Sequence, residues 1–437
     1  MTSPVPEAST RRKKFLFDEP IELPVDLSVH SIDGRHLIIA PQKGNWITTD
    51  RLGLDFVQLL HQGLTLRQAL DALASQEGTS FDEALDRVSP TLRAIEANQF
   101  YERPERDLSG VFTGYGLHLY ASMRCNLRCV HCYIEGGDPL PNELRTPEIL
   151  AVLDACVQCG FRRFSLSGGE PLCHPDWVAI LEHANAVGLS CSLLTNATLI
   201  EDAETARAIA ALTDEVQVSL DGATEAVNDA IRGTGAYRRA LRGLDLLLAA
   251  GARVYIAMTA MPQNIQDLED HVVALAERLG PDQVIFRIAR LEQRGRARAM
   301  PELSDLELEQ ASKRILQKLV GPELWAERYS LPRRRAVNCG YGPGVTLSAD
   351  GGVHLCAAAH RPVGNVRQTP FAALHERVLA EHWRTAVDHI PLCADCDLRY
   401  ICAGGCRIYN ETVTGNMLQP ACNEGRRQAY YVRLSAT

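Results

Sequence analysis

Ten of the fourteen cysteines in this 437-residue chain stand in two spaced sets, and cysteines so placed restrict the fold before anything else does. The first set is the C-x3-C-x2-C run Cys125, Cys129 and Cys132, inside Met123-Arg124-Cys125-Asn126-Leu127-Arg128-Cys129-Val130-His131-Cys132-Tyr133. The second is Cys339, Cys356, Cys393, Cys396, Cys402, Cys406 and Cys422: C-x11-G-x4-C through Gly351, then C-x2-C-x5-C-x3-C, then a last cysteine after a gap of fifteen. What such sets do depends on compartment. The start, MTSPVPEASTRRKKFLFDEP, has no apolar stretch of signal-peptide length, and no eighteen consecutive apolar residues occur, so a cytoplasmic protein is expected. In a reducing cytosol, clustered cysteines read as metal ligands or reactive thiols before they read as disulfides.

A chain of this length divides into two or three domains, and 46% hydrophobic with 23% charged residues is ordinary for folded protein. The formal charge of −9 gives no global positive field, so neither nucleic acid nor membrane is expected as a partner. Residues 1–14, ending in Arg11-Arg12-Lys13-Lys14, read as a solvated arm. From 15 to 103, β-like runs at Leu27–Ile32, His36–Ala40 and Asn45–Thr48, the first two joined by an Asp33-Gly34 turn, precede helical patterns over 50–62, 65–77 and 81–101. Thr49-Asp50 and Thr79-Ser80 supply N-caps, and Gly63 and Gly78 stand where C-caps belong. This reads as a winged-helix-like unit. A linker is expected over 104–116. From 117 to 300, strands near 117–122, 163–167, 189–195, 215–220, 253–259 and 283–288 alternate with helices, the signature of βα units around a parallel sheet. A helical bridge (301–338) and a cysteine-rich domain (339–437) follow.

Within the sheet region, Ile149, Val152, Leu153, Cys156 and Val157 form one helical face, and Cys191 alternates with Leu189 and Leu193 on a strand. Cys156 and Cys191 therefore read as core, and Cys159 and Cys173 as filler. The C-x3-C-x2-C trio differs: three thiolates in one strand-to-helix loop suit a metal centre one ligand short. Either His131 completes a Cys3His zinc site, or one position stays open for chemistry at the C-terminal end of a strand, where α/β folds place active sites.

The trio after the first strand, with Ser167-Gly168-Gly169-Glu170-Pro171-Leu172 ending the second, resembles the radical S-adenosylmethionine (radical SAM) superfamily. The resemblance implies an α/β fold built on a partial (β/α)6 barrel. In it, Cys125, Cys129 and Cys132 hold a 4Fe-4S cluster whose fourth iron is chelated by SAM, the source of a 5′-deoxyadenosyl radical. It also implies that Gly168, Gly169 and Glu170 bring backbone to SAM's amino group. Asn196 after the third strand, Ser219 and Asp221 at the fourth, and Arg232 beyond it would contact ribose hydroxyls and the SAM carboxylate. An ordinary turn or N-cap is the alternative for Asn196 and Ser219. Arg294-Gly295-Arg296-Ala297 resembles the family's segment beneath the adenine.

The seven later cysteines, threaded with glycines, need metal staples to stabilise so small a core. Their order resembles the SPASM extension of radical SAM enzymes. By that resemblance Cys339, Cys356 and Cys406 hold one auxiliary 4Fe-4S cluster, and Cys393, Cys396, Cys402 and Cys422 a second, giving three clusters with the SAM-binding one. Relatives carry an eighth cysteine just after the first; Gly340 to Thr346 contains none. The first auxiliary cluster is thus expected to keep an open iron, or to take His354, His360 or a substrate group.

Between Asp50 and Arg103, nine acidic residues outnumber five basic ones, a net −4 that is the wrong sign for duplex binding. The front unit instead resembles leader-peptide recognition elements, whose third strand and third helix take an added peptide strand. The resemblance as a whole implies a maturase of ribosomally made precursor peptides (RiPPs) that forms a cross-link or thioether and draws electrons from a flavodoxin or ferredoxin. A maturase of folded or nascent proteins and a zinc-stapled regulator without catalysis are the alternatives. No side chain is expected as catalytic acid or base.

Overall fold

The computed structural model describes residues 15–102, 115–329, 331, 335–339 and 344–435, without the side chains of 322–329. The arm 1–14 and all but the last two residues of the expected linker lie outside the described residues.

The first unit is an antiparallel sheet of β1 (Ser28–Ile32), β2 (Arg35–Ala40) and β3 (Asn45–Thr49), followed by α1 (Arg51–His61), α2 (Leu66–Glu77) and α3 (Phe81–Ala97). Asp33 and Gly34 both take positive φ, 50° and 78°, the geometry a two-residue hairpin needs to match strand twist. Asp50 caps α1 by accepting from Gly53 N at 2.7 Å, and Ser80 and Glu83 close a capping box on α3, each cap worth about 1 kcal/mol. α3 ends at Ala97, four residues before the expected 101, where Asn98 caps it and Gln99 turns to φ 53°.

β2 carries Leu37-Ile38-Ile39-Ala40, apolar without alternation, because both faces of the sheet are buried at this strand. Ile38 and Ile47 face the unit's own helices. Leu37, Ile39 and Trp46 pack against Leu398, Tyr431 and Leu434 of the cysteine-rich region. The sheet therefore forms the joint between the two.

The main sheet runs β4 (Tyr115–Tyr120), α4 (Thr146–Gln158), β5 (Phe161–Ser167), α5 (Trp177–Ala186), β6 (Ser190–Thr195), α6 (Ala203–Leu212), β7 (Glu215–Ser219), α7 (Glu225–Arg232), α8 (Ala236–Ala249), β8 (Val254–Ala260), α9 (Ile265–Leu279) and β9 (Val284–Arg290). The six strands β4 to β9 pair parallel in chain order, and β9 does not return to β4. The first strand begins at Tyr115 and ends at Tyr120, two residues earlier than expected at each end, which leaves 121 onward free to cross the sheet's C-terminal edge. Cys156 and Cys191 are fully buried in the core between sheet and helices.

α10 (Asp305–Tyr329) breaks at Gly321 and packs on α9 and on the last helix. β10 (Val345–Leu347) then pairs parallel with β4, and β11 (Gly352–His354) and β12 (Gly364–Asn365) extend the order to β12-β11-β10-β4-β5-β6-β7-β8-β9. The start of the cysteine-rich region is thus an extension of the main sheet, with no gap in hydrogen bonding. α11 (Phe371–Arg384), α12 (Arg399–Cys402), α13 (Arg407–Thr414) and α14 (Glu424–Ser435) complete it. No helix among the described residues is long and apolar enough to cross a membrane.

Candidate active site

The loop after β4 carries Cys125, Cys129 and Cys132 over the C-terminal ends of the parallel strands. It is held by backbone. Cys125 N donates to Gly137 O and Gly137 N to Met123 O, both at 2.8 Å, while Gly169 N donates to Ser122 O at 2.9 Å and Glu170 N to Arg124 O at 2.8 Å. A Cβ on Gly168 or Gly169 would lie 2.4 Å from Ser122 O or Arg124 O respectively. The glycine pair is therefore required for β5 to meet the cysteine loop. Arg296 holds the loop's other side, its Nε donating to Cys129 O at 2.8 Å and its N to Cys132 O at 3.1 Å.

The three thiols are half-buried and close enough to feel each other's charge. Burial, reinforced by Glu170, Cys129 and Cys132, pushes Cys125 up to about 12. Burial also raises Cys129, with Asp221 and Cys132 adding to it and Arg232 opposing. Without iron the Cys125 and Cys129 thiols, so raised, are neutral at pH 7, and these two donors become thiolate only by binding metal. Leu127 N lies 3.4 Å from Cys125 Sγ and Gly136 N 3.3 Å from Cys132 Sγ, donors of the kind that stabilise cluster sulfur. Among the described residues no group of three His, Cys, Asp or Glu is gathered to hold a single ion, and a four-iron cluster spreads its ligands wider than one ion does. His131, the candidate zinc ligand, has its Nε2 3.1 Å from Asp221 Oδ2, while its buried Nδ1 has no hydrogen-bond partner. The residues present fit a cluster with three cysteine ligands.

A ring of polar side chains surrounds the loop. Glu170, 1% exposed, accepts from Asn196 N and Thr195 Oγ1, both at 2.7 Å, and from Leu172 N at 3.2 Å. Burial outweighs these donors and pushes its carboxyl up to about 7. With its side chain tied between β5 and β6, this edge offers a ligand backbone rather than carboxylate. Asn196 accepts from Thr198 N and Oγ1 and donates to Asn126 Oδ1 at 2.9 Å, so its side chain shapes a turn that clasps the cysteine loop. Asn126, which the sequence did not single out, donates in turn to Thr198 Oγ1 at 2.8 Å. Ser219 ends β7 half-buried with no side-chain partner among the described residues, leaving its hydroxyl available.

Asp221, expected as a cofactor contact, sits in a buried cluster of charged side chains. It is completely buried, its Oδ2 lies 2.7 Å from Arg232 Nη2, and its Oδ1 accepts from Thr259 N at 2.8 Å. Burial alone would push this carboxyl up; Arg232, then His131, outweigh it and hold it well below the usual carboxylate range. Arg232 in turn senses Cys129 and Cys132, and its buried Nε has no hydrogen-bond partner. An orphaned guanidinium nitrogen beside the cysteine trio suits an anionic group there.

The later cysteines gather in two groups. Cys356 senses Cys339 and Cys406, whereas Cys393 senses Cys402, Cys396 and Cys422. Of the two histidines near the first group, His354 keeps a buried Nδ1 without a partner, while His360 Nε2 lies 3.3 Å from Thr412 Oγ1. A polar bridge joins this group to the trio: Tyr133, next to Cys132, lies 3.2 Å from Tyr120 across their hydroxyls, and Tyr120 donates to Ala357 O at 3.3 Å. Arg294 donates to Ala357 O and Ala358 O and lies over the Tyr133 ring. The tyrosines were invisible to sequence reasoning, since their partner lies more than two hundred residues away.

The model of the Radical SAM superfamily matches residues 119–275. The mycofactocin maturase MftC of Mycobacterium ulcerans is 31% identical over 310 residues, 64% of this chain and 80% of that relative. The AdoMet-dependent heme synthase of Nitratidesulfovibrio vulgaris is 28% identical over 333 residues, 68% of this chain and 89% of its own length. Among solved structures, Streptococcus suis SuiB, determined with S-adenosylmethionine and with its precursor peptide SuiA, superposes with a TM-score of 0.57 at 15% identity, covering 93% of this chain and 100% of SuiB.

Proposed function

Because the chain belongs to the radical SAM superfamily, and is thereby an enzyme of that class with a 4Fe-4S cluster and SAM, we propose that it is a peptide maturase in three parts. Residues 15–103, a winged-helix-like recognition unit, grip the leader of a ribosomally made precursor peptide. The partial barrel of β4 to β9 places the core peptide beside SAM. Residues 339–437, a SPASM-type domain, hold two auxiliary 4Fe-4S clusters.

The observation that carries this reading is the joint. Strands β2 and β3 of the front sheet are buried on both faces, between its own helices and the cysteine-rich region, and Asp397 locks the sheet there. Asp397, next to Cys396, accepts from Ser28 Oγ at 2.8 Å and Tyr431 Oη at 3.0 Å and pairs with His30 at 2.5 Å. A sheet covered on both faces can receive a further strand only at its edges, β1 or β3. The β3 edge is stitched to α3 by Thr49 and Thr91 at 2.6 Å and by Asn45 to Asn98 O at 2.9 Å. The β1 edge borders a notch of about 230 Å³ lined by Leu27, Val29, Ile38, Leu54, Val57 and His61. A leader held at either edge enters at a fixed distance from the barrel. The similarity to a mycofactocin maturase supports a peptide substrate.

When bound, the cluster and SAM supply a 5′-deoxyadenosyl radical that removes a hydrogen atom from the substrate. The chain's own residues orient and exclude. Arg232, fixed by Asp221, presents its free Nε toward the trio. Glu170 and Asn196 hold the strand ends that frame the site, and Tyr120, Tyr133 and Arg294 tie it to the Cys356 loop. Cys339, Cys356 and Cys406, and Cys393, Cys396, Cys402 and Cys422, would hold auxiliary clusters able to take up the electron that product formation releases, with a flavodoxin or ferredoxin as the external donor. Oxidative formation of a cross-link or thioether follows, with loss of two hydrogens.

A second reading, modification of a tetrapyrrole, is favoured by the similarity to the heme synthase. The anaerobically reconstituted chain decides. About twelve irons per chain, 5′-deoxyadenosine from SAM under reductant, and a precursor peptide lighter by two hydrogens are expected. Turnover of a porphyrin with no leader binding would establish the second reading, and no 5′-deoxyadenosine after full reconstitution would retire both.

A further inference from the structure

Arg407 is a buried cation without a carboxylate. It opens α13 directly after Cys406 and is 4% exposed. Its Nε donates to Thr385 O at 2.7 Å, Nη1 to Gly405 O at 2.7 Å and Nη2 to Ala403 O at 2.8 Å. All three acceptors are neutral carbonyls, and no ion pair to Asp or Glu forms among the described residues. The opposite charges it senses are sulfurs: Cys339 and Cys406 from one group, Cys393 and Cys402 from the other. Its backbone N–H also reaches the Cys339 sulfur.

A guanidinium withdrawn from water needs an anion nearby, since desolvation without compensation is strongly unfavourable. Free thiols do not provide one, since an ordinary cysteine is largely neutral at pH 7. Metal-bound thiolates do provide one, on both sides of the arginine. We propose that Arg407 is the shared counter-ion of the two metal centres held by the seven C-terminal cysteines, raising both reduction potentials together. The proposal rests on the reading that these cysteines hold clusters. Arg407 touches neither substrate nor SAM; it is a positioning residue for charge. Each electron added to either centre is drawn toward this fixed cation, so reduction of both is favoured by one side chain.

The test compares the full-length wild type with Arg407→Gln and Arg407→Lys after anaerobic reconstitution, by iron content and by redox titration followed by electron paramagnetic resonance. Arg407→Gln is expected to lower the potential of both C-terminal centres by at least tenfold in the reduction equilibrium, about 59 mV for one electron. Arg407→Lys is expected to restore most of that shift, and the Cys125, Cys129 and Cys132 centre to stay unmoved. Loss of about eight irons in Arg407→Gln but not in Arg407→Lys would also support a charge role. Unshifted potentials, a shift in one C-terminal centre alone, or equal effects of both substitutions on potential or iron content would overturn it. A wild-type chain that takes up only about four irons would instead overturn the underlying reading, before the variants are compared.

Discussion

Replacing Asp221 with asparagine keeps the shape of the residue and removes its charge, which makes it a clean test of how the site is held. Asp221 is 0% exposed, with Arg232 Nη2 at 2.7 Å and His131 Nε2 at 3.1 Å. At an effective dielectric of about 20, unit charges at this separation attract by roughly 6 kcal/mol, while taking each ion out of water costs several kcal/mol. The intact pair therefore contributes little net stability. Breaking it does not cost little, because Arg232 remains buried beside Cys129 and Cys132 with its charge uncompensated, a loss of about 3–5 kcal/mol. At about 2–4 °C per kcal/mol, the melting temperature should fall by roughly 6–20 °C. Anaerobic thermal and urea unfolding of wild type, Asp221→Asn, Arg232→Met and the double variant measure the two quantities. The double variant should recover much of the loss, since the stranded cation is gone. The pH dependence has a definite sign. A carboxyl held below its unfolded value of about 3.9 stabilises fully above that value and loses the contribution as pH falls toward the folded one. The gap between wild type and Asp221→Asn should thus be constant near neutrality and shrink only in strong acid. A single variant within about 1 kcal/mol of wild type, or strictly additive effects in the double variant, would refute the reasoning.

Asp397→Ala removes the acceptor shared by Ser28, His30 and Tyr431 at the joint; about 1–3 kcal/mol of local stability should be lost, read as faster hydrogen exchange over 28–40 with the main sheet unchanged. Burial would raise the Asp397 carboxyl, but the His30, Ser28 and Tyr431 hydrogen bonds hold it below its usual value, so wild-type protection at this joint should persist above about pH 3.9 and fade in acid. Gly169→Ala forces a Cβ to 2.4 Å from Arg124 O and should cost the chain about four irons, whereas Gly116→Ala, whose Cβ meets nothing nearer than 3.9 Å, should keep them.

Local chemistry was legible from sequence where neighbours in the chain are neighbours in space. Asp33-Gly34, the Asp50 and Ser80 caps and the six parallel strands all follow from patterns a few residues long. The strand β10 did not stand out, because three residues carry no period and its partner β4 lies over two hundred residues earlier. The joint had a signal that went unread: the unbroken apolar run Leu37-Ile38-Ile39-Ala40 is what a strand buried on both faces requires. Asp221 was legible by its place in the motif but its partners were not, since only the fold brings His131 and Arg232, ninety and eleven residues away, onto one carboxylate.

The division of the later cysteines into two groups also depends on conformation that spacing alone does not convey. Cys402 and Cys406 are four residues apart, and on a continuous helix they would share a face and one metal. They serve different groups because Ala403, Gly404 and Gly405 all take left-handed backbone, with φ of 53°, 76° and 73°, so the chain reverses between them. Glycine adopts that conformation without steric cost, while Ala403 carries about 1–2 kcal/mol of strain. The reversal also aims the carbonyls of Ala403 and Gly405 inward, where they accept from Arg407. One turn thus separates the two sulfur groups and seats the cation between them, so straightening it would mix the proposed ligand sets and expel the charge together.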